Sequence, residues 1–311
     1  MPAAQTAVHA RPFVSIVVPT FDRLEYLRPA IDSVFAQTWP DWDLIIADDG
    51  SGDELRAYLR DLESRPRVKV VWLAHRGVPA AVRNAAIREA TGTHVAFLDS
   101  DDLWAPRKLE QQLARLRARP GCRWSYTAFR RVDRAGVPLA AERTRRFDPH
   151  EGDIFEQLVA HTAELRTPTV LVERALLLDA GGFDEDLPSA EDYDLWMRLA
   201  LRSPVALVAE PLVDVRRHDR NYSDDWATAF AGRDRSLAKL STAVDPARRA
   251  LLLRERARNG AKLVAEHARR GERLQALGAF VGSAPYAWSY PEWWWRALRA
   301  AAGSALRGRV R

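Results

Sequence analysis

The stretch THVAFLDSDDLW, residues 93–104, decides how the chain is read. Its first six residues form a short, nearly continuous apolar run, the pattern of a strand in a sheet covered on both faces. The run ends in Asp99-Ser100-Asp101-Asp102, three carboxylates in four residues. Taken alone, residues 99–104 read as a turn with an acidic N-cap before a helix starting near Pro106, because Asp and Ser favour such places. The competing reading is electrostatic. Carboxylates this close repel one another when buried, so a counter-cation becomes attractive.

On the N-terminal side, residues 13–19 (FVSIVVP), 44–47 and 68–73 read as strands. Between them lie helical patterns at 26–37, 54–62 and 79–90, the first with Leu27, Ala30, Ile31, Val34 and Phe35 at helical spacing. On the C-terminal side a helix is expected over 108–117 and a fifth strand over 122–129. This alternation predicts an α/β fold with a mostly parallel central sheet flanked by helices. In such sheets ligands bind outside the carboxyl ends of the strands. Three strand ends here carry polar clusters: Pro19-Thr20, Asp48-Asp49-Gly50 and the acidic turn itself.

Residues 130–223 are less regular. A strand over 169–172, a helix over 173–180 with Gly181-Gly182 as its stop, and strands over 205–208 and 212–215 are expected. A helix over 192–201 places Asp192, Leu195, Trp196 and Leu199 on one face, with Glu191, Asp194 and Arg198 elsewhere. An acid in a first helical turn also favours the macrodipole, so periodicity leaves Asp192 open between cap and functional carboxylate. From Asp224 the chain is rich in Ala, Leu and Arg and reads as several helices.

Bulk properties narrow the class. With 311 residues, 47% hydrophobic and 29% charged, the chain can bury an ordinary globular core. One cysteine, Cys122, excludes a disulfide framework and a cysteine-based zinc cluster. The net charge of +5 arises from intermixed Arg and acids, so no nucleic acid partner is expected. Residues 1–12 show no basic segment followed by an apolar one, and no apolar run reaches 18 residues; neither a secretory leader nor a spanning helix is expected. The first strand is followed by Pro19-Thr20-Phe21 rather than G-x-G-x-x-G, which argues against a dinucleotide-binding oxidoreductase.

VSIVVPTFDR, LIIADDGSGD and AAVRNAAIREATGTHVAFLDSDDLW occur at the spacing seen in family 2 (GT-A fold) glycosyltransferases, and RTPTVLVERALLLDAGGFDEDLPSAEDYDLWMRLA and VRRHDRNYS resemble that family's acceptor-side segments. The resemblance covers roughly residues 12–223. It implies a GT-A nucleotide-diphosphosugar transferase fold, and a catalytic domain over 12–223 followed by a helical extension over 224–311. Transfer would be inverting and metal-dependent, with Mg²⁺ or Mn²⁺ as cofactor. The donor would be a nucleotide-diphosphate sugar, UDP- or dTDP-linked by preference, and the acceptor a hydroxyl of a glycan or lipid-linked molecule.

Carried over position by position, the resemblance places the backbone of Pro19 and Thr20 against the nucleotide and lets Asp49 read the base, with Asp48 structural. Arg83 and Asn84 would support the nucleotide side. Asp99 would contact ribose and metal, Asp101 would be the direct metal ligand, and Asp102 would cap the following helix. Asp192 would be the catalytic base. His218 would reach the metal, and Arg216 and Arg217 the diphosphate, since guanidinium pairs bidentately with phosphate oxygens. The chain departs from the family pattern at Asp22, where Asn is usual, and at His75-Arg76-Gly77. A non-catalytic sugar-nucleotide-binding or scaffolding protein on the same fold is the alternative reading.

Residues 283–311 set Trp288, Tyr290, Trp293, Trp294 and Trp295 ahead of Arg296, Arg299, Arg307, Arg309 and Arg311. Rings beside arginine suit a membrane interface; packing on the protein and an oligomer contact are the other readings. A cytoplasmic location with peripheral contact on the inner face of the cytoplasmic membrane is expected.

Overall fold

A computed structural model describes residues 13–140, 147–218, 226–293 and 295. The chain forms two compact units. The first comprises residues 1–153, 165–183 and 199–219, and the second residues 154–164, 184–198 and 220–311.

The first unit is built on an eight-stranded sheet. Its strands are β1 (Val14–Thr20), β2 (Trp42–Asp48), β3 (Val68–Trp72), β4 (His94–Phe97), β5 (Leu103–Trp104), β6 (Trp124–Val132), β7 (Leu171–Glu173) and β8 (Val205–Arg216), in the order β3-β2-β1-β4-β7-β6-β8-β5. The strands β3, β2, β1 and β4 run parallel, as do β6 and β8. The short strand β7 enters antiparallel to both β4 and β6, and β5 antiparallel to β8, so the sheet is mixed.

Strands β1 and β2 are buried almost throughout, which explains their unbroken apolar sequence. Val14, Ile16, Val18, Leu44, Ile46, Val68 and Val70 point to one face. There they meet apolar residues of α1 (Leu24–Phe35), α2 (Asp53–Glu63) and α4 (Lys108–Ala118). Helix α3 (Pro79–Glu89) packs on β1 and β2 and buries Ala80, Ala81, Val82, Ala85, Ala86 and Ile87. Its Pro79 sits in the first turn, where the missing N–H has no intrahelical partner to lose.

Sequence and structure differ at two strands. The runs at 205–208 and 212–215 are one strand, β8, because β6 pairs along its whole length, with register shifts on either side of Ala128. The expected fifth strand is the sixth, β6. It follows the two-residue β5, a segment too short to show a period.

A buried polar network ties α4 to the sheet. Lys108 is fully buried, donates to Gln112 Oε1 at 2.7 Å, and lies 4.1 Å from the centre of the Trp104 ring. The Gln112 amide nitrogen reaches the Ser125 carbonyl at 3.2 Å and the Thr169 carbonyl at 3.0 Å. Trp104 in turn donates its indole N–H to the Pro168 carbonyl at 2.9 Å.

The second unit holds α5 (Phe155–Val159), most of α7 (Glu191–Ala200), α8 (Trp226–Ser241), α9 (Pro246–Arg270) and α10 (Arg273–Ala287). Helix α9 is capped at both ends. Asp245 accepts from the Ala247 and Arg248 N–H groups, and Gly271 closes the helix at φ +80°. Gly232 of α8 lies so close to the Ser189 carbonyl that a Cβ would collide with it. That close approach seats Ser189 and Ala190, the latter at φ +62°, directly ahead of Glu191-Asp192. Arg233 of α8 forms a buried ion pair with Glu255 of α9 at 2.8 Å. No helix among the described residues is long and apolar enough to cross a membrane.

Burial pushes the Lys108 pKa well below 10.5. Between that lowered value and 10.5 the unfolded chain binds a proton that the folded chain lacks, so this group makes stability rise with pH across that window. Lys108→Met should remove the rise. Urea unfolding in steps from neutral pH upward should show the wild-type-minus-variant difference growing by up to about 1.4 kcal/mol per pH unit. A flat difference would mean that Lys108 stays charged in the fold.

Candidate functional site

The ends of β1 and β2 are in register, Thr20 opposite Asp48, and the loops beyond them lock together. The Asp49 N–H donates to the Thr20 carbonyl at 3.0 Å, the Asp22 N–H to Ser51 Oγ at 3.0 Å, and the Gly52 N–H to Asp22 Oδ1 at 2.7 Å. Asp22 sits at φ +45°, a left-handed conformation that Asp tolerates better than most side chains. The buried Asp48 carboxylate accepts from the Ser51 N–H at 3.2 Å, closing a local turn. Thr20 Oγ1 is buried with no hydrogen-bond partner among the described residues.

Asp49 faces the loop after β3. Its Oδ1 accepts from the Arg76 N–H at 3.0 Å, and its Oδ2 from the Gly77 N–H at 2.9 Å. His75 Nδ1 lies 3.0 Å from the same Oδ2, and the His75 ring stacks on Phe21 with centroids 4.1 Å apart. A Cβ on Gly50 would sit 2.8 Å from the His75 nitrogen, and Gly50 also needs φ +81°. An ionised carboxylate has about four lone-pair positions. Asp49 therefore keeps acceptor capacity beside an exposed aromatic ring.

Strand β4 stops at Phe97, opposite Val17, and the chain turns with the Asp102 N–H on the Asp99 carbonyl. Each carboxylate of the turn then meets a different donor. Asp99 Oδ1 accepts from Arg83 at 2.8 Å. Asp101 Oδ2 accepts from Arg23 at 2.7 Å and lies 2.9 Å from His218 Nε2. Asp102 Oδ1 accepts from the Arg216 backbone N–H at 2.8 Å.

Asp102 was expected to cap the next helix, and it does not. Helix α4 starts at Lys108, with Arg107 as N-cap and no side-chain cap bond. Asp102 instead reaches a residue 114 positions away, because β5 pairs with β8 and brings Arg216 beside it. Burial, with the nearby charges of Asp101 and Asp99, pushes the Asp102 carboxyl well above the usual carboxylate range.

The segment after β8 is held from below by Tyr26, whose ring stacks on His218 at 4.7 Å and lies 5.2 Å from the Arg216 guanidinium. Only 4% of the His218 side chain is exposed, so the ring is held by its neighbours rather than by solvent. Arg216 is buried, whereas Arg217 is exposed and anchored by its N–H on the Val132 carbonyl at 2.8 Å. Asn84 clasps the Phe183 main chain: its amide donates to the carbonyl at 2.8 Å and accepts from the N–H at 3.0 Å. That clasp holds Phe183 5.4 Å from the Arg83 guanidinium.

Asp101 and His218 together offer one oxygen and one nitrogen donor. Such an edge fits a divalent cation that takes its other ligands from phosphate and water. No cluster of three or more potential ligand side chains gathers among the described residues, so a closed protein cage is not formed there.

In the second unit, Asp192 is the second residue of α7. It is half-buried, and its Oδ1 accepts from the Tyr193 N–H at 2.8 Å. The expectation that Glu191 and Asp194 lie away from the buried face is overturned, because both are buried. Asp194 accepts from Ser236 Oγ of α8 at 2.8 Å and from Arg198 at 2.8 Å. Helix α8 thus covers a side of α7 that an amphipathic pattern would leave to water.

Residues 15–148 match the family model described as glycosyl transferase family 2. Over these residues the chain is similar to family 2 glycosyltransferases. Its relatives include an uncharacterized glycosyltransferase of Rickettsia bellii, 30% identical over 203 residues, 65% of this chain and 28% of that protein. Another is the Escherichia coli UDP-Glc:alpha-D-GlcNAc-diphosphoundecaprenol beta-1,3-glucosyltransferase WfgD, 27% identical over 60% of this chain and 69% of that one. The chain spans 28%, 32% and 51% of the length of three curated relatives that it matches. Among solved structures, S. aureus TarS 1-349 in complex with UDP-GlcNAc superposes with a TM-score of 0.72 at 17% identity, over 96% of this chain and 91% of that chain. At that identity the likeness is one of fold, and the fold is of the GT-A type.

The fold also places residues at the site that sequence reasoning did not select. Arg23 and Tyr26 flank Asp101 and His218, and His75 and Phe21 flank Asp49. Arg23 directly follows the Pro-Thr-Phe-Asp turn, which was a usable signal. Nothing local marks Tyr26, which reads as one more apolar position of α1.

The Asp102 contact can be separated from its charge. Asp102→Asn keeps an acceptor for the Arg216 N–H and removes a buried carboxylate, so thermal stability should hold or rise. Asp102→Ala leaves that N–H unpaired and should cost about 1–3 kcal/mol in urea unfolding. Equal losses in both variants would mean that the negative charge itself is needed.

Proposed function

We propose that this chain transfers a sugar from a nucleotide-diphosphate donor, UDP- or dTDP-linked, to a hydroxyl of a glycan or lipid-linked acceptor, with inversion at the anomeric carbon. The supporting observation is the meeting of Asp101 and His218 at 2.9 Å beside the strand ends that carry Asp49 and Asp99. Asp101 and His218 lie 117 positions apart along the chain, so their proximity is a product of the fold. The neighbours TarS, solved with UDP-GlcNAc, and WfgD, named for a UDP-Glc donor and a diphosphoundecaprenol acceptor, fit the same chemistry.

In this reading the base rests against Phe21, with an N–H accepted by Asp49, and Asp99 takes a ribose hydroxyl. Arg83, 2.8 Å from Asp99 Oδ1, would hold that carboxylate in place. The backbone of Pro19 and Thr20 lines the nucleotide, and Asn84 fixes the loop that supports Arg83. Asp101 and His218 would hold Mg²⁺ or Mn²⁺, which when bound neutralises charge on the diphosphate. Arg217, and Arg216 beside it, add guanidinium charge toward the same leaving group. Asp192 takes the proton from the acceptor hydroxyl. As that oxygen bonds to the anomeric carbon, the carbon–oxygen bond to the diphosphate breaks and its electron pair leaves with the diphosphate. A single base and one direct displacement give inversion. A lipid-linked acceptor would place the enzyme at the inner face of the cytoplasmic membrane.

Nucleotide sugars offered with Mn²⁺ and a panel of glycan and lipid-linked acceptors test the reading. Asp192→Asn should lower transfer by about a hundred- to ten-thousandfold while nucleotide binding persists. Asp101→Ala, or removal of the metal with EDTA, should abolish turnover. Wild-type rates in both variants would refute the assignment, and nucleotide binding without any turnover by the wild type would favour a non-catalytic role.

A further inference from the structure

Helix α10 has two apolar faces, and one of them is uncovered among the described residues. On the inner face Phe280, Ala284 and Ala287 pack with Trp293 against Ala257 and Ala261 of α9. Close approach is enforced there, since a Cβ on Gly260 would meet Ser283 at 2.6 Å. On the outer face Leu274, Leu277, Val281 and Trp288 are 82%, 58%, 62% and 71% exposed. Their spacings of three, four and seven residues put them on one side of the helix. Gly278 and Gly282 lie in the same stretch with open space above them.

This concentration is unlike the rest of the surface. With Trp295, these residues make five of the ten large exposed hydrophobics among the described residues. No charged residue occurs between Arg273 and Glu292. A helix that is apolar on both faces needs a second apolar environment. The tail tryptophans divide accordingly, with Trp293 buried against α9 and Trp288 and Trp295 in solvent.

Charge indicates what covers the face. At its start Arg269 and Arg270 pair with Glu266, and Arg273 follows Glu272, so the excess of charge lies after Glu292, where the sequence runs through Arg296, Arg299, Arg307, Arg309 and Arg311 without an acid. A second copy would bring the same excess of arginine and no acid in that segment to offset it, which is unfavourable. An anionic bilayer satisfies the apolar face and the arginines at once. Since no described helix can cross a membrane, the helix would lie in the interfacial plane.

We propose that the outer face of α10 docks on an anionic lipid bilayer, with Leu274, Leu277, Val281 and Trp288 entering the boundary between headgroups and acyl chains. This extends the membrane location proposed above to a defined surface. Its test needs neither donor nor acceptor, so it can fail without touching the transfer reaction, and the reverse holds.

The full chain is sedimented with vesicles of phosphatidylglycerol mixed with phosphatidylcholine, and with vesicles of phosphatidylcholine alone. Binding is expected to the anionic vesicles, weakening as salt is raised. The double variant Leu277→Glu/Val281→Glu should lower it by about tenfold or more. Both positions are exposed, so an unchanged circular dichroism melt is expected to accompany the loss. Absence of wild-type binding, or equal binding by the variant, would overturn the proposal. So would a dimer in light scattering without vesicles that the double variant dissociates, since the face would then join two copies.

Discussion

The candidate site depends on holding three carboxylates in four residues at the end of one strand. In a poorly solvated place such charges repel, and the turn persists because each has a separate donor. Asp99 has Arg83, Asp101 has Arg23 and His218, and Asp102 has a backbone N–H from Arg216. Those donors come from α3, from the residue that opens α1, and from the end of β8. Removing one donor would leave a charge uncompensated, which costs more than the pair contributes. The acidic turn therefore constrains the elements around it as much as they constrain it.

Strand β8 carries much of that constraint. It runs parallel to β6 for most of its length and antiparallel to β5 at its end. The second pairing is only two residues long, yet it returns Arg216, Arg217 and His218 to the turn that precedes β5. Tyr26 then fills the space beneath, stacking on the imidazole and facing a guanidinium. A histidine that local sequence places on a loop thereby becomes a buried group of defined orientation.

The second unit solves a different problem. Asp192 lies in the first turn of a helix whose approach is set by Ala190 at positive φ and by the contact of Gly232 with Ser189. Asp194, two residues on, is absorbed by Ser236 and Arg198. Of the neighbouring acids, Asp194 is thus committed to packing, whereas Asp192 remains half-exposed at the helix start. Helix α9, capped at both ends, is the element on which α8 and α10 are laid.

By itself, the sequence determined the alternation of strands and helices, the parallel order of the first strands, and the polar clusters at their ends. These follow from short-range rules: apolar runs, helical spacing, and turn residues where strands stop. The resemblance carried by those clusters, rather than any local rule, singled out Asp49, Asp99, Asp101, Asp192 and His218 as candidates. Tertiary structure alone decided which donor serves which acid. Arg23 and Asp101 are 78 residues apart, and Asp102 and Arg216 are 114. No local pattern records such pairs, because they exist only once the order of strands in the sheet has brought them together. The same reason explains why Asp102 looked like a helix cap and why Tyr26 looked like ordinary core. Their roles are set by what lies across the sheet, and periodicity describes only what lies along the chain.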